Sequence, residues 1–352
     1  MALLAAPTVD FGFHLLEQVD EAAVFSPVSV HTALATVREG AAGDARAALD
    51  EVLGTEAPAP LAVDDPAVEL ALAQAVWADR AVRLAPAFAA RAAELGVDCR
   101  TLDFADLSAP AEVNTWASEK THGMIREVID AFERDEVFAL ANAAYFDGNW
   151  TTPFNPAATR PRPFTLSDGT TKHVPTMHAS DKFDYAEDDE LQAIWLPYGD
   201  TLEIGFVAVI AREGLPRLDA ARWTALRSSM RNLEGTVALP SFHAEERFEL
   251  TDALIALGLG PAFEPGPDFD GLFEGPGDKS LSRVLHRARV ELDEQGTRAA
   301  AVTVALGRLT SGQLSPPFDL RLDRPFLWAI EHRPSGTLLF MGIVTDPTEG
   351  ST

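Results

Sequence analysis

From Val137 to Phe146 the chain reads Val-Phe-Ala-Leu-Ala-Asn-Ala-Ala-Tyr-Phe. A nearly continuous apolar run of this length predicts a strand covered on both faces. A second buried strand is predicted from Leu202 to Ile210, and a shorter strand-like run from Arg289 to Leu292. Helical spacing appears in two places. Ser26 can cap a helix opened by Pro27, with Val30, Ala33, Leu34 and Val37 on one face. Val113, Trp116, Ala117, Thr121, Met124 and Val128 repeat at the same period, which predicts a second helix reaching Val128. The helices and strands come in unequal runs rather than strict alternation, which predicts an α+β fold.

The most informative pattern runs from Glu294 to Leu306. Thr297, Ala299, Ala301, Thr303 and Ala305 are all small and occupy one alternating face. Arg298, Ala300, Val302, Val304 and Leu306 occupy the other, where size and one charge are accepted. A period of two marks a strand with distinct faces. Yet the segment lies between the Arg289–Leu292 run and a Gly/Pro-punctuated stretch, 307–317, that reads as exposed loop. On these residues alone, a strand held outside its sheet and an ordinary small-residue linker are both open.

Length and charge narrow the function classes. The chain has 352 residues, is 47% hydrophobic and carries a formal charge of −26. There is material for a large core, and no linker-like break or internal repeat divides it. The Pro/Gly-rich patches 56–66 and 264–278 are short and read as surface loops. The acidic balance offers no basic excess to neutralise phosphates, so neither nucleic acid nor an anionic membrane is expected as partner. No apolar run reaches membrane-spanning length. The N-terminus lacks a basic leader and signal-length apolar segment, so the sequence as it stands reads as cytoplasmic, with secretion open if a leader was removed. The single cysteine, Cys99, excludes an intramolecular disulfide framework and reads as a partly buried small residue.

Enzyme motifs are missing. There is no Gly-x-Ser-x-Gly elbow, no His-Glu-x-x-His and no phosphate-binding glycine loop. Gly258-Leu259-Gly260 precedes Pro261 and reads as a turn. The eight histidines show no ligand spacing. No metal, no cofactor and no catalytic activity are expected.

The C-terminal run Leu320-Arg321-Leu322-Asp323-Arg324-Pro325-Phe326-Leu327-Trp328, with Leu339-Phe340-Met341-Gly342-Ile343-Val344-Thr345-Asp346-Pro347, resembles the closing signature of the serpin family. Other segments match in order. They are Phe25-Ser26-Pro27-Val28-Ser29-Val30, Asn114-Thr115-Trp116 with Thr121-His122-Gly123-Met124-Ile125, and Asn142-Ala143-Ala144-Tyr145-Phe146 through Trp150. Val174-Pro175-Thr176-Met177, Leu196-Pro197-Tyr198, Leu239-Pro240 and Leu281-Ser282-Arg283-Val284-Leu285-His286 follow. The chain is identified as a member of that family, of bacterial type, along nearly its whole length.

The resemblance implies a serpin fold with three β-sheets, about eight or nine helices and an exposed reactive loop near 294–317, in one domain spanning 1–352. It implies a monomer that traps a serine, or a cysteine, protease in a covalent 1:1 complex. The protease cuts the loop, and the freed segment enters the main sheet as a new strand. Glu294, Gly296, Thr297, Ala299, Ala300 and Ala301 would form the hinge. Ser26, Ser29, Asn142 and His286 match a hydrogen-bonded cluster beneath the centre of the main sheet. On residue type alone Ser29 and His286 could also be a nucleophile and base. Trp150, Ser241 and Glu294 match the region where the sheet opens.

Counting from the hinge places the reactive bond between Thr310 and Ser311, whereas counting back from Pro325 moves it toward Leu314. Arg308, Leu309 and Gln313 are lesser candidates. Two positions depart from the pattern: Ala22 replaces an asparagine ahead of the first helix motif, and Ser241 replaces a basic residue that would pair with Glu294. The alternative is a non-inhibitory member acting as a protease substrate, chaperone or binding protein. Small residues on the inserting face argue against it, because non-inhibitory members usually carry bulky or charged ones there.

Overall fold

Strand Phe138–Asn149 is the axis of the molecule, because its two faces bury two different layers. The computed structural model describes residues 7–19, 24–55, 61, 63–133, 135–275, 278–297 and 318–348. Among them the main sheet has six strands in the order Phe242–Glu249, Leu281–Leu292, Gly296–Thr297, Phe138–Asn149, Val68–Asp79 and Val97–Leu102. An eight-stranded sheet carries the C-terminal hairpin Phe326–His332 and Thr337–Val344, and a third, two-stranded sheet pairs Arg83–Leu84 with Phe273–Glu274.

The expected α+β class with three sheets is what the structure has. Eight α-helical segments occur among the described residues, two of them four-residue turns. Helix Pro27–Gly40 starts as the sequence predicts, with the Ser26 hydroxyl accepting from the Ser29 N–H at 3.3 Å. It fills the space between the inner face of the main sheet and strand Thr337–Val344, burying Val30, Leu34 and Val37. Helix Ala109–Lys120 crosses the outer face and buries Val113, Trp116 and Ala117 against Ala141, Ala143 and Tyr145. Two covering layers explain why 137–146 is apolar at almost every position.

Three expectations need correction. The second helix stops at Lys120 rather than reaching Val128, because His122 and Gly123 take φ of 52° and 82°. Ile125, Val128 and Ile129 still pack into the same apolar cluster, so the sequence period followed the cluster rather than a helix. The strand expected from Leu202 begins at Ile204. Leu202 lies in a turn at φ 60°, beside Asp200 and Thr201, whose backbone N–H groups both donate to Asp65. The patch 264–278 is not wholly loop, since it contains the one-turn helix Pro267–Phe269 and strand Phe273–Glu274.

Candidate functional site

Strands Phe138–Asn149 and Leu281–Leu292 lie side by side in parallel, with pairs running from Leu281↔Phe138 to Arg289↔Tyr145. Beyond that point a third segment sits between them. Gly296 pairs with Asn149 and Thr297 with Gly148, while Thr297 also pairs with Leu292. This short strand is antiparallel to both neighbours and forms a rung between them in the main sheet.

The rung is held by many contacts. The Asp293 carboxylate accepts from the backbone N–H groups of Gln295 and Gly296 at 2.7 and 3.2 Å, and the Asp293 N–H donates to Gly296 O at 2.8 Å. Burial pushes that half-buried carboxyl above its usual range. Trp150 donates its backbone N–H to Gln295 O and its indole N–H to Asp293 O, each at 2.9 Å, and the Phe154 N–H donates to Glu294 O at 2.8 Å. At Gly296 φ is +151°, and a Cβ there would lie 2.0 Å from the Gly148 carbonyl oxygen. Only glycine fits this approach. Thr297 is fully buried and its hydroxyl lies 2.7 Å from Tyr198 Oη. Tyr198 stacks on Trp150 at 4.3 Å, and burial pushes its phenol strongly upward, so it stays neutral.

Trp150 and Glu294 therefore meet at the top of the sheet, but Ser241 does not join them: its N–H donates to Pro175 O at 3.1 Å. Glu294 accepts from the Thr159 hydroxyl at 2.6 Å. An uncharged hydroxyl donor thus partners Glu294, in keeping with the replacement of the family's basic residue by Ser241. Tyr198 and Thr159 were missed from sequence as hinge contacts. Tyr198 was visible only as part of the Leu-Pro-Tyr motif, and Thr159 carried no signal.

The structure brings Ser26, Ser29, Asn142 and His286 together below the seam, all with no exposure. The Ser26 N–H donates to His286 Nε2 at 3.0 Å and its hydroxyl donates to Leu339 O at 2.6 Å. Asn142 is the register partner of His286 and donates to Leu285 O at 3.3 Å. Gln74, which pairs with Asn142 from the other side, donates to Ser29 Oγ at 3.1 Å. It belongs to the cluster and was missed, although a lone glutamine in the apolar 70–78 run was a signal. His286 Nε2 is occupied by Ser26, so the nucleophile–base reading of Ser29 with His286 has no geometric support. His286 is neutral, since burial pushes its imidazole down to about 3.

The cluster is not closed. With Nε2 accepting, Nδ1 carries the proton, and it has no partner; Asn142 Oδ1 has none either. Each buried polar atom left unpaired costs about 1–3 kcal/mol. This arrangement of the two strands therefore carries an unsatisfied donor and acceptor at its centre.

Ala299, Ala300, Ala301, Arg308, Leu309, Thr310, Ser311, Gln313 and Leu314 lie outside the described residues, as does Ala22. The last described residue before that segment, Thr297, lies in the main sheet, and the first after it, Phe318, lies in the eight-stranded sheet, where Phe318–Arg321 runs parallel to Arg231–Pro240. Cys99 is partly buried, and desolvation pushes its thiol up to about 11, which leaves it unreactive at neutral pH.

The fold is mixed α+β, and its six-stranded sheet takes in the short strand Gly296–Thr297 between two strands that are parallel to each other. The chain belongs to the serpin family: the family model described as Serpin (serine protease inhibitor) matches residues 6–347. It is 31% identical to an uncharacterised serpin-like protein of Thermococcus kodakarensis, across 93% of this chain and 81% of that protein. It is also 31% identical to plasminogen activator inhibitor 1 of Sus scrofa, across 98% of this chain and 93% of the relative. Among solved structures, the thermophilic serpin Tengpin in its native state superposes with a TM-score of 0.87 at 25% identity, covering 97% of this chain and 93% of that one.

Proposed function

We propose that the protein is a suicide inhibitor of proteases, most readily of the serine type, and forms a covalent 1:1 complex with its target. The protease's serine hydroxyl attacks the carbonyl of Thr310 in the loop. The Thr310–Ser311 peptide bond breaks, Ser311 leaves as an amine, and Thr310 remains esterified to the enzyme. The freed segment then continues the strand that Gly296–Thr297 has begun and carries the enzyme along the sheet before water can cleave the ester.

The observation that supports this reading most strongly is the paired hinge. Gly296 and Thr297 are antiparallel to both strands of a parallel pair. Extending them replaces one parallel ladder with two antiparallel ones, which are slightly more stable per residue. The small-residue face from Thr297 to Ala305 suits passage into a packed sheet. At ~3.3 Å per residue, residues 296–310 span ~50 Å, enough to cross a large sheet. Strand separation would also free the unsatisfied His286 and Asn142 atoms to find partners. The function of the sheet is inhibition, not catalysis.

Incubation with a panel of serine and cysteine proteases, resolved on denaturing gels, tests the proposal. A covalent band at the summed mass is expected, with a released C-terminal peptide starting at Ser311. A shortened band with no complex for every protease would reject inhibition. A peptide starting outside residues 309–315 would reject the assigned bond.

A further inference from the structure

Strand Arg160–Thr165 reads Arg-Pro-Arg-Pro-Phe-Thr and pairs with Thr171–Glu187 in the eight-stranded sheet. Beside it the sheet holds an open hollow of about 90 Å³, several times the ~15 Å³ that one water needs. Phe164, Val174, Ala238 and Leu322 line the hollow, and all four are buried. Arg162 and Arg321 line it too, and both are exposed. The register explains the placement. Arg162 lies opposite Val174, Phe164 opposite Lys172, and Arg321 opposite Ala238. Residues opposite one another share a face, so the two arginines flank an apolar floor. Ala238 leaves the space, since only a methyl group stands between His178 and Arg321 on the neighbouring strands.

The polar groups around the floor are already paired. Thr176 donates its hydroxyl to Val174 O at 3.0 Å. The Leu322 N–H donates to Ala238 O at 2.9 Å, and the Thr165 N–H donates to Asp323 O at 2.8 Å. Water deep in the hollow would find few partners, which favours an apolar occupant. The rim is the reverse. Among the described residues Arg162 has neither an ion pair nor a hydrogen bond to its side chain, and Arg160, on the same face, has no ion pair. The neighbouring carboxylates are engaged, Asp319 with Arg321 at 2.6 Å and Asp323 with Arg324 at 2.7 Å. Adjacent free arginines stand out in a chain of formal charge −26. Beyond about 8 Å the acidic remainder is screened at physiological salt, so the local excess of positive charge governs this rim.

We propose that this hollow is a binding site for a small organic monocarboxylate, whose branched or aromatic group fills the apolar floor while its carboxylate meets Arg162. A guanidinium takes a carboxylate through two parallel hydrogen bonds, and the volume limits the apolar group to about one ring or a short branched chain. Arg321 adds positive charge from strand Phe318–Arg321. An occupied hollow therefore ties that strand, across Ala238, to Arg160–Thr165. Binding involves no protease and no loop insertion, so the site stands or falls apart from the inhibitory reading.

The test is calorimetric titration of the intact protein with benzoate at about 0.05 M salt. Acetate supplies the charge without the ring, and benzamide the ring without the charge. Benzoate should bind with a dissociation constant of about 1 mM, as expected for so small a ligand, and the other two at least about tenfold more weakly. Arg162→Gln changes an exposed side chain, should fold, and should weaken benzoate about three- to tenfold. Ala238→Leu fills the hollow and should abolish binding; Ala238→Val, which adds less bulk, replaces it if the leucine variant does not fold. Amide exchange locates the ligand: benzoate should slow exchange in peptides covering 160–165 and 318–322 and leave 138–149 unchanged. Benzoate affinity unchanged by Arg162→Gln or by filling at Ala238, or matched by acetate or benzamide, would overturn the site.

Discussion

Tyr198 Oη and Thr297 Oγ1 lie 2.7 Å apart, both fully buried, and tie the residue after strand Leu191–Pro197 to the short strand Gly296–Thr297 in the main sheet. The pair is the innermost contact of the hinge. Removing one hydroxyl leaves the other buried and unpaired, whereas removing both does not. Tyr198→Phe is therefore expected to lower stability by about 1–3 kcal/mol. Tyr198→Phe with Thr297→Val should recover most of that loss. Urea unfolding of the four proteins in the cycle reads the coupling. A double variant as unstable as the sum of the singles would mean the hydroxyls act independently.

The hinge also makes a directional prediction about function. Thr297→Arg must place a charge where the structure has no exposure, costing at least several kcal/mol without a partner. The first rung is expelled, insertion slows, and hydrolysis of the acyl-enzyme wins; each ~1.4 kcal/mol on the barrier is a tenfold delay. Arg298→Glu changes a side chain that the alternation assigns to solvent, and should leave trapping nearly intact. Moles of inhibitor consumed per mole of protease trapped measure the partition. A harmful Arg298→Glu with a silent Thr297→Arg would show the register to be inverted.

The sequence was most legible where one physical cause acted locally. Ser26-Pro27 announced the start of a helix, and the unbroken apolar run after Val137 announced a strand with two covered faces. The grouping of Ser26, Ser29, Asn142 and His286 came from family resemblance, since no local rule links residues so far apart. Gln74, Tyr198 and Thr159 were missed because each meets its partner through strand register or packing between sheets. Tyr198 and Thr297 are 99 residues apart. The helix carried past Lys120 failed for the opposite reason: apolar spacing persisted where φ had turned positive at His122 and Gly123.

Buried histidines should make the fold acid-sensitive. Desolvation holds His286 down to about 3 and His31 to about 4, and partly buried His332 is lowered too. Folded values below the unfolded one mean that the unfolded chain takes up protons first as pH falls. Stability is thus complete above about 6.5 and declines below it, by at most about 1.4 kcal/mol per pH unit for each histidine. Denaturation between about pH 6.5 and 5, above most carboxylate titration, isolates the effect. His286→Gln should flatten the slope in that window; an unchanged slope would remove His286 as a cause.

Loop insertion is the claim on which the rest depends, and thermal unfolding before and after a single cut in the loop tests it most directly. The structure places the short strand Gly296–Thr297 between two parallel strands, with a polar cluster beneath the seam still unsatisfied. If the cut segment completes that strand, the nicked protein must be the more stable form although a covalent bond has been lost. Roughly 1 kcal/mol moves the midpoint of a large domain by about 2–4 °C, so completing a strand should raise it by tens of degrees. An equal or lower midpoint after cleavage would mean that the segment stays outside the sheet, and the trapping mechanism would fall with it.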